Sequence, residues 1–230
     1  MNIVLLGYMG CGKTTIGKII SKVTGKRFID LDSYIESKTN QTISDLFLLK
    51  GEIYFRKIES DSLELIMSKY DNIILSLGGG TPCYSDNLAL IKNSKSFFLK
   101  YSIKVLSKRL INNKSSRPIL SDFNNFNLMN DYVAKHLFER NHYYNQASNV
   151  IQCDLKNEEE IANEILNLSK AGLKFNLNDK NDICKKIEEV YENRTTFGAN
   201  ALDCAKKFDW SNICKQVAQV YQELLTSKEN

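Results

Sequence analysis

Gly7-Tyr8-Met9-Gly10-Cys11-Gly12-Lys13-Thr14 has the spacing G-x-x-x-x-G-K-[ST], a loop that cradles phosphates. Its glycines let the backbone come close to an anion, and the N–H groups and the following helix N-terminus then face the charge. Lys13 is placed to reach the β- and γ-phosphates of a nucleoside triphosphate, and the Thr14 hydroxyl to complete the shell of a magnesium ion. Further along, Asp30-Leu31-Asp32 puts two carboxylates at the end of an apolar run. One could hold water on the metal and the other accept hydrogen bonds from substrate hydroxyls; the alternative is a polar strand end in which Asp32 caps a helix. Arg56 precedes Glu59 by three residues, a helical spacing that lets the carboxylate orient the guanidinium or form a plain ion pair. Gly78-Gly79-Gly80 implies close approach of the backbone to a ligand or to another loop. Arg117-Pro118 sits in the polar stretch 112–127, long enough for a lid whose arginine would neutralise a migrating phosphoryl group. Arg140 lies four residues before Tyr144.

These residues need a frame that brings them to one edge. Short apolar runs alternate with amphipathic ones over the first two-thirds of the chain, as in βαβ units. Strands are expected at Asn2–Leu6, Arg27–Asp30, Asn72–Leu77, Ser96–Tyr101 and Asn149–Cys153. Helical patterns fall at Lys13–Val23, Ile43–Leu49, Glu52–Ser68, Asp86–Ile91, Ile103–Ile111, Leu128–Gln146 and Glu158–Leu168. The expected fold is α/β: a five-stranded parallel sheet with helices on both faces, whose ligands bind beyond the carboxyl ends of the strands.

The 230 residues are 43% hydrophobic and 25% charged, which excludes wholesale disorder. No apolar run is long enough to span a bilayer, and the N-terminus lacks the basic region and cleavage site of a secretory signal. A cytoplasmic protein with six reduced cysteines is expected. A net charge of +4 suits a small anionic substrate and is too mild to imply nucleic acid. All of that excess lies in residues 1–170, with 22 basic against 18 acidic side chains; residues 171–230 hold nine of each. Two domains follow: 1–170, carrying the chemistry, and 171–230, a mostly helical extension.

Residues 1–168 resemble shikimate kinases. The resemblance rests on Gly7–Thr15, Asp30-Leu31-Asp32 with Ile35-Glu36, Phe55-Arg56 with Glu59, Leu77 to Gly80, Arg117-Pro118-Ile119-Leu120, and Arg140 with Tyr144 and Ala147. Gluconate kinases and nucleoside monophosphate kinases share the loop but not this series. The one departure in the lid motif is Ile119, where the family has leucine. The resemblance implies a P-loop kinase fold with a lid, and ATP-dependent phosphorylation of the 3-hydroxyl of shikimate on the route to chorismate and the aromatic amino acids. It assigns ATP to Gly10, Cys11, Gly12, Lys13, Thr14 and Thr15, with Arg109 beside the adenine and Arg117 on the lid. Magnesium falls to Thr14 and, through water, Asp30. Shikimate falls to Asp32, Arg56, Gly79 and Arg140. The reaction expected is direct in-line transfer, with Lys13, Asp32 and Arg117 as the catalytic set and Asp32 accepting the hydroxyl proton. A P-loop kinase for another small polyol or acid, and a nucleotide-binding regulator, are the competing functions.

The tail resembles another protein: Gly172 to Phe175, Phe197 to Ala201 and Phe208 to Ile213 look like the end of a GT-B type glycosyltransferase. That enzyme's nucleotide-sugar pocket lies upstream of such a segment, so no glycosyl transfer is expected. The chain is expected to be monomeric, with no nucleic-acid or membrane partner. The tail's apolar stripe would dock on the kinase domain or on a second copy.

Overall fold

The computed structural model describes residues 1–112 and 125–170, together with the isolated helical positions Glu192, Thr195 and Gly198. Arg117, with the rest of 113–124, and the tail apart from those three positions, with the docking and glycosyltransferase readings attached to it, lie outside the described residues. The chain divides into two compact units, Met1–Asn163 and Glu164–Asn230.

Five strands form one parallel sheet: β1 (Ile3–Leu6), β2 (Phe28–Asp30), β3 (Ile74–Ser76), β4 (Lys95–Lys100) and β5 (Asn149–Gln152), in the order β2-β3-β1-β4-β5. Every residue of β1 and β3 is buried, which explains why β1 is apolar throughout and β3 apolar but for Ser76: helices cover the sheet on both faces. β1 pairs with β3 through Ile3 and Ile74, and with β4 through Ile3 and Lys95. The chain leaves β1 towards one side of the sheet and later returns to fill the other, so a crevice opens at the carboxyl end of β1. The phosphate loop fills that position.

The helices are α1 (Lys13–Thr24), α2 (Leu31–Thr39), α3 (Ile43–Lys69), α4 (Asn87–Leu90), α5 (Ile103–Asn112), α6 (Phe126–Tyr144) and α7 (Glu158–Lys170), with one 3₁₀ turn at Thr81–Cys83. Gly12, at φ 87° and ψ 16°, turns the loop into α1, a left-handed conformation that favours glycine. The two helical patterns expected at Ile43–Leu49 and Glu52–Ser68 form one rod broken at Gly51, whose φ of 82° and ψ of 170° are non-helical. One core cluster joins Val4, Leu6, Leu31, Ile35, Phe55 and Leu63, tying α2 and α3 to the sheet.

Three expectations change. β2 stops at Asp30 as expected, but Leu31, fully buried, at once opens α2, a helix absent from the expected series. Asp30 caps that helix, accepting from the Ser33 N–H at 3.3 Å, so Asp32 sits in the first turn and is not the cap. The polar stretch 112–127 is shorter than its composition suggests: Asn112 closes α5 and Phe126 opens α6, which Asn125 caps through the Leu128 N–H at 2.9 Å.

Candidate active site

A cavity of about 620 Å³ lies over the carboxyl ends of the strands. Met9, Gly10, Gly12, Lys13, Thr14 and Thr15 line one side, Asp30, Asp32 and Gly79 another, and Arg109 with Glu158 its far end. Lys13 is buried and donates to the loop's own carbonyls, Gly7 O at 2.8 Å and Tyr8 O at 3.2 Å. Cys11 does not face the cavity. Its thiol is fully buried, with Sγ 3.7 Å from the Lys13 ammonium, and only its backbone runs along the loop.

The Thr14 hydroxyl donates to Asp30 Oδ2 at 2.7 Å, so the loop and the end of β2 meet through a pair of side-chain oxygens. Asp32 stands beside them. Burial raises its carboxyl to about 6, reinforced by the Asp30 carboxylate and partly offset by Lys13. Among the described residues no hydrogen-bond donor reaches its carboxylate.

The three glycines after β3 each admit a neighbour. A Cβ on Gly78 would come within 2.8 Å of Asp32 Oδ1, one on Gly79 within 3.2 Å of the Met9 N–H nitrogen, and one on Gly80 within 2.8 Å of Arg56 Nη2. The segment is therefore threaded between the phosphate loop, the carboxylate and the arginine. Tyr144, wholly buried, fixes it from behind by donating to Gly79 O at 2.5 Å. Arg140 lies one turn earlier on α6, so the helix that anchors this segment also carries a guanidinium. Burial lifts the Tyr144 hydroxyl far above its ordinary range, so it stays a donor.

Arg56 projects from α3 towards Gly80. Its Nη1 donates to Glu59 Oε2 at 2.8 Å, while Nε and Nη2 share Glu52 Oε1 at 3.3 and 3.2 Å. Glu59 is buried, and its other oxygen accepts from the Thr81 hydroxyl at 2.5 Å. The pair is thus no surface ion pair but a built support. Burial acts to lower the Arg56 pKa, but the charge and hydrogen bond of Glu59, with smaller help from Tyr84 and Glu52, together outweigh it, so the guanidinium is held more firmly charged. Arg140 and Arg56 both act on Cys83, whose thiol burial pushes up and the two arginines pull down. Two cations therefore flank the exit from the triple glycine.

Arg109 stacks on Tyr101 at 4.4 Å and lies 3.8 Å from Glu158. The sequence reading missed Glu158, since nothing in its acidic surroundings separates it from a solvated helix start. Nor was His136 on α6 given a part in the site. The imidazole Nδ1 meets the Tyr8 hydroxyl at 2.9 Å, a link from α6 to the phosphate loop visible only once the two are folded together.

The family model described as shikimate kinase matches residues 9–170. The shikimate kinase of Flavobacterium johnsoniae is 44% identical over 168 residues, covering 72% of this chain and 97% of that protein. That of Flavobacterium psychrophilum is 42% identical, covering 71% and 95%. Among solved structures, shikimate kinase from Bacteroides thetaiotaomicron superposes with a TM-score of 0.67 at 35% identity, over 74% of this chain and 96% of that one. Shikimate kinase from Acinetobacter baumannii in complex with shikimate gives 0.66 at 30% identity, over 73% and 92%. Matched by the family model over most of its length and by relatives at more than 40% identity that it covers almost whole, this chain belongs to the shikimate kinase family and is an ATP-dependent kinase.

Proposed function

We propose that the chain transfers the γ-phosphoryl group of ATP to the 3-hydroxyl of shikimate. The observation that carries the reading is the Asp32 carboxylate: half-buried on the cavity wall that also holds Lys13, with no donor of its own among the described residues. A group held in that state has its hydrogen-bonding capacity reserved for a ligand's hydroxyl. Arg56 and Arg140 supply what the acceptor's carboxylate needs, charge-assisted and paired hydrogen bonds. The Gly79 backbone completes the acceptor cup.

Triphosphate binding exchanges the neutral carbonyl acceptors of Lys13 for phosphate oxygens, and hydrogen bonds between ionised partners are roughly twice as strong as neutral ones. The N–H groups of residues 10–15 then hold the phosphates, and Arg109 takes the adenine side. The all-oxygen pair of Thr14 and Asp30 fits magnesium. Among the described residues no cluster of three or more His, Cys, Asp or Glu could hold a metal unaided, so such an ion would keep water and phosphate ligands, as magnesium commonly does. Bound there, magnesium would neutralise charge on the β- and γ-phosphates. Asp32 accepts the hydroxyl proton as the bond to phosphorus forms, with no covalent enzyme intermediate. Because phosphoryl transfer passes through a loose transition state, positioning and charge neutralisation by Lys13 and, from the lid, Arg117 outweigh proton abstraction.

No described helix is long and apolar enough to cross a membrane, and we place the enzyme in the cytoplasm, acting as a monomer on ATP and shikimate. For residues 171–230 we keep the reading of an extension akin to the end of a GT-B glycosyltransferase and without that activity. The test is a coupled ADP-release assay with shikimate against gluconate, quinate and nucleoside monophosphates. Shikimate should exceed every other acceptor in kcat/KM by at least an order of magnitude; equal turnover of another would overturn the proposal.

A further inference from the structure

Arg56 is held by more than its two carboxylates. The Tyr84 ring lies against its guanidinium, with the ring centroid 4.0 Å from Cζ, nearer than Phe55 at 5.2 Å or Phe47 at 5.7 Å. Tyr84 comes from the turn after Thr81–Cys83, in extended backbone at φ −124°, and Ser85 follows in the left-handed region at φ 52°. A residue with a side chain holds that conformation only where its surroundings enforce it, so the turn that presents Tyr84 is fixed. The Tyr84 hydroxyl also adjoins the Glu52 carboxylate, the one that takes Nε and Nη2 of Arg56.

Together these contacts box a planar group: Glu52 on one edge, Glu59 on another, an aromatic face against the plane. Three of the five guanidinium N–H donors are engaged by those carboxylates, which leaves two, one on each Nη nitrogen. An arginine side chain is otherwise rich in rotamers, and a ligand that must freeze it loses affinity.

We propose that Tyr84 is a positioning residue for the acceptor substrate. Its ring holds the Arg56 guanidinium in plane, with the two remaining donors set for the acceptor's carboxylate before that substrate arrives. The inference rests on the reading that Arg56 grips the shikimate carboxylate. It distinguishes ring from hydroxyl: the stacked face carries the effect, and the contact with Glu52 is secondary.

The test is steady-state kinetics of the full chain with Tyr84→Ala, Tyr84→Leu, Tyr84→Phe and Arg56→Ala. Tyr84→Ala and Tyr84→Leu should each raise KM for shikimate about tenfold, equivalent to about 1.4 kcal/mol, while KM for ATP and kcat move far less. Tyr84→Phe should recover most of that loss, because it restores the aromatic face. In an Arg56→Ala background, Tyr84→Ala should add nothing further, and the penalty should vanish with shikimate methyl ester, whose carboxyl is neutral. A wild-type shikimate KM for Tyr84→Ala, beside a raised one for Arg56→Ala, overturns this inference alone. So does an equal rise in both KM values with no recovery in Tyr84→Phe, the mark of a merely structural residue. An unchanged shikimate KM for Arg56→Ala overturns the reading of the site, and the inference with it.

Discussion

Asp32 titrates near 6 because its carboxyl is withdrawn from water and shares its corner with Asp30. Two consequences of opposite sign follow. The base must be ionised to take a proton, so kcat/KM for shikimate should fall about tenfold per pH unit below about 6, a limb that a pH-rate profile will reveal. Folding responds the other way. A carboxyl whose native pKa lies above its unfolded value binds protons more tightly when folded, so its contribution to stability is complete below about 4 and is lost as pH rises through about 6. By that linkage Asp32→Asn should stabilise the protein at pH 8 by as much as about 3 kcal/mol while removing most turnover. Thermal unfolding beside an activity assay checks both halves. Lys13→Ala should nearly abolish turnover, since its ammonium is the cation built into the loop, and should leave the fold intact. Arg56→Ala should raise KM for shikimate far more than KM for ATP. Most of these residues were legible from their types and spacing. Tyr84 and Glu158 were not: an aromatic after a turn and an acid in an acidic run carry no periodic signal, and their roles arise only from the partner across the fold.

α3 shows what one residue does to an element. Gly51 sits at φ 82° and ψ 170°, a region nearly reserved for glycine, and no atom lies within 4 Å of where its Cβ would be. Gly51→Ala therefore meets no steric neighbour and costs only backbone strain, about 1–3 kcal/mol. A denaturant titration should register that loss. Because Glu52 and Arg56 lie in the first turns beyond the kink, the variant should also weaken shikimate binding without altering KM for ATP. Gly80→Ala is the complementary case: its backbone is ordinary, but the new Cβ would press on Arg56 at 2.8 Å, so shikimate affinity should suffer more than stability. The elements were readable where periodicity was long. The five strands appear in place and in order, and the break between the two α3 segments follows from their separate patterns. The short α2 was hidden because its first turn, Leu31-Asp32-Ser33, reads equally well as the polar end of β2; the Asp30 cap that decides the matter is a geometric fact.

At the scale of the whole molecule, the family match ends at residue 170, and relatives covered almost completely by that match contain nothing that requires the remaining sixty residues. Residues 1–170 should therefore phosphorylate shikimate with a kcat/KM within about threefold of the full chain, measured side by side; a tenfold deficit would make the extension part of the enzyme. The composition shift at 170 coincides with the end of the family match, while the two compact units divide at Asn163 and Glu164, inside α7; what the extension does carries no signal in the sequence. The strand order has a consequence for synthesis. β1 is translated first, yet its two neighbours in the sheet, β3 and β4, are encoded some seventy and ninety residues later. As the nascent chain leaves the ribosome, β1 has no lateral partner until β3 has cleared the exit tunnel, and the loop it carries has no rigid base. A ribosome stalled before that point would hold a polypeptide with a complete phosphate-binding signature and no grip on nucleotide.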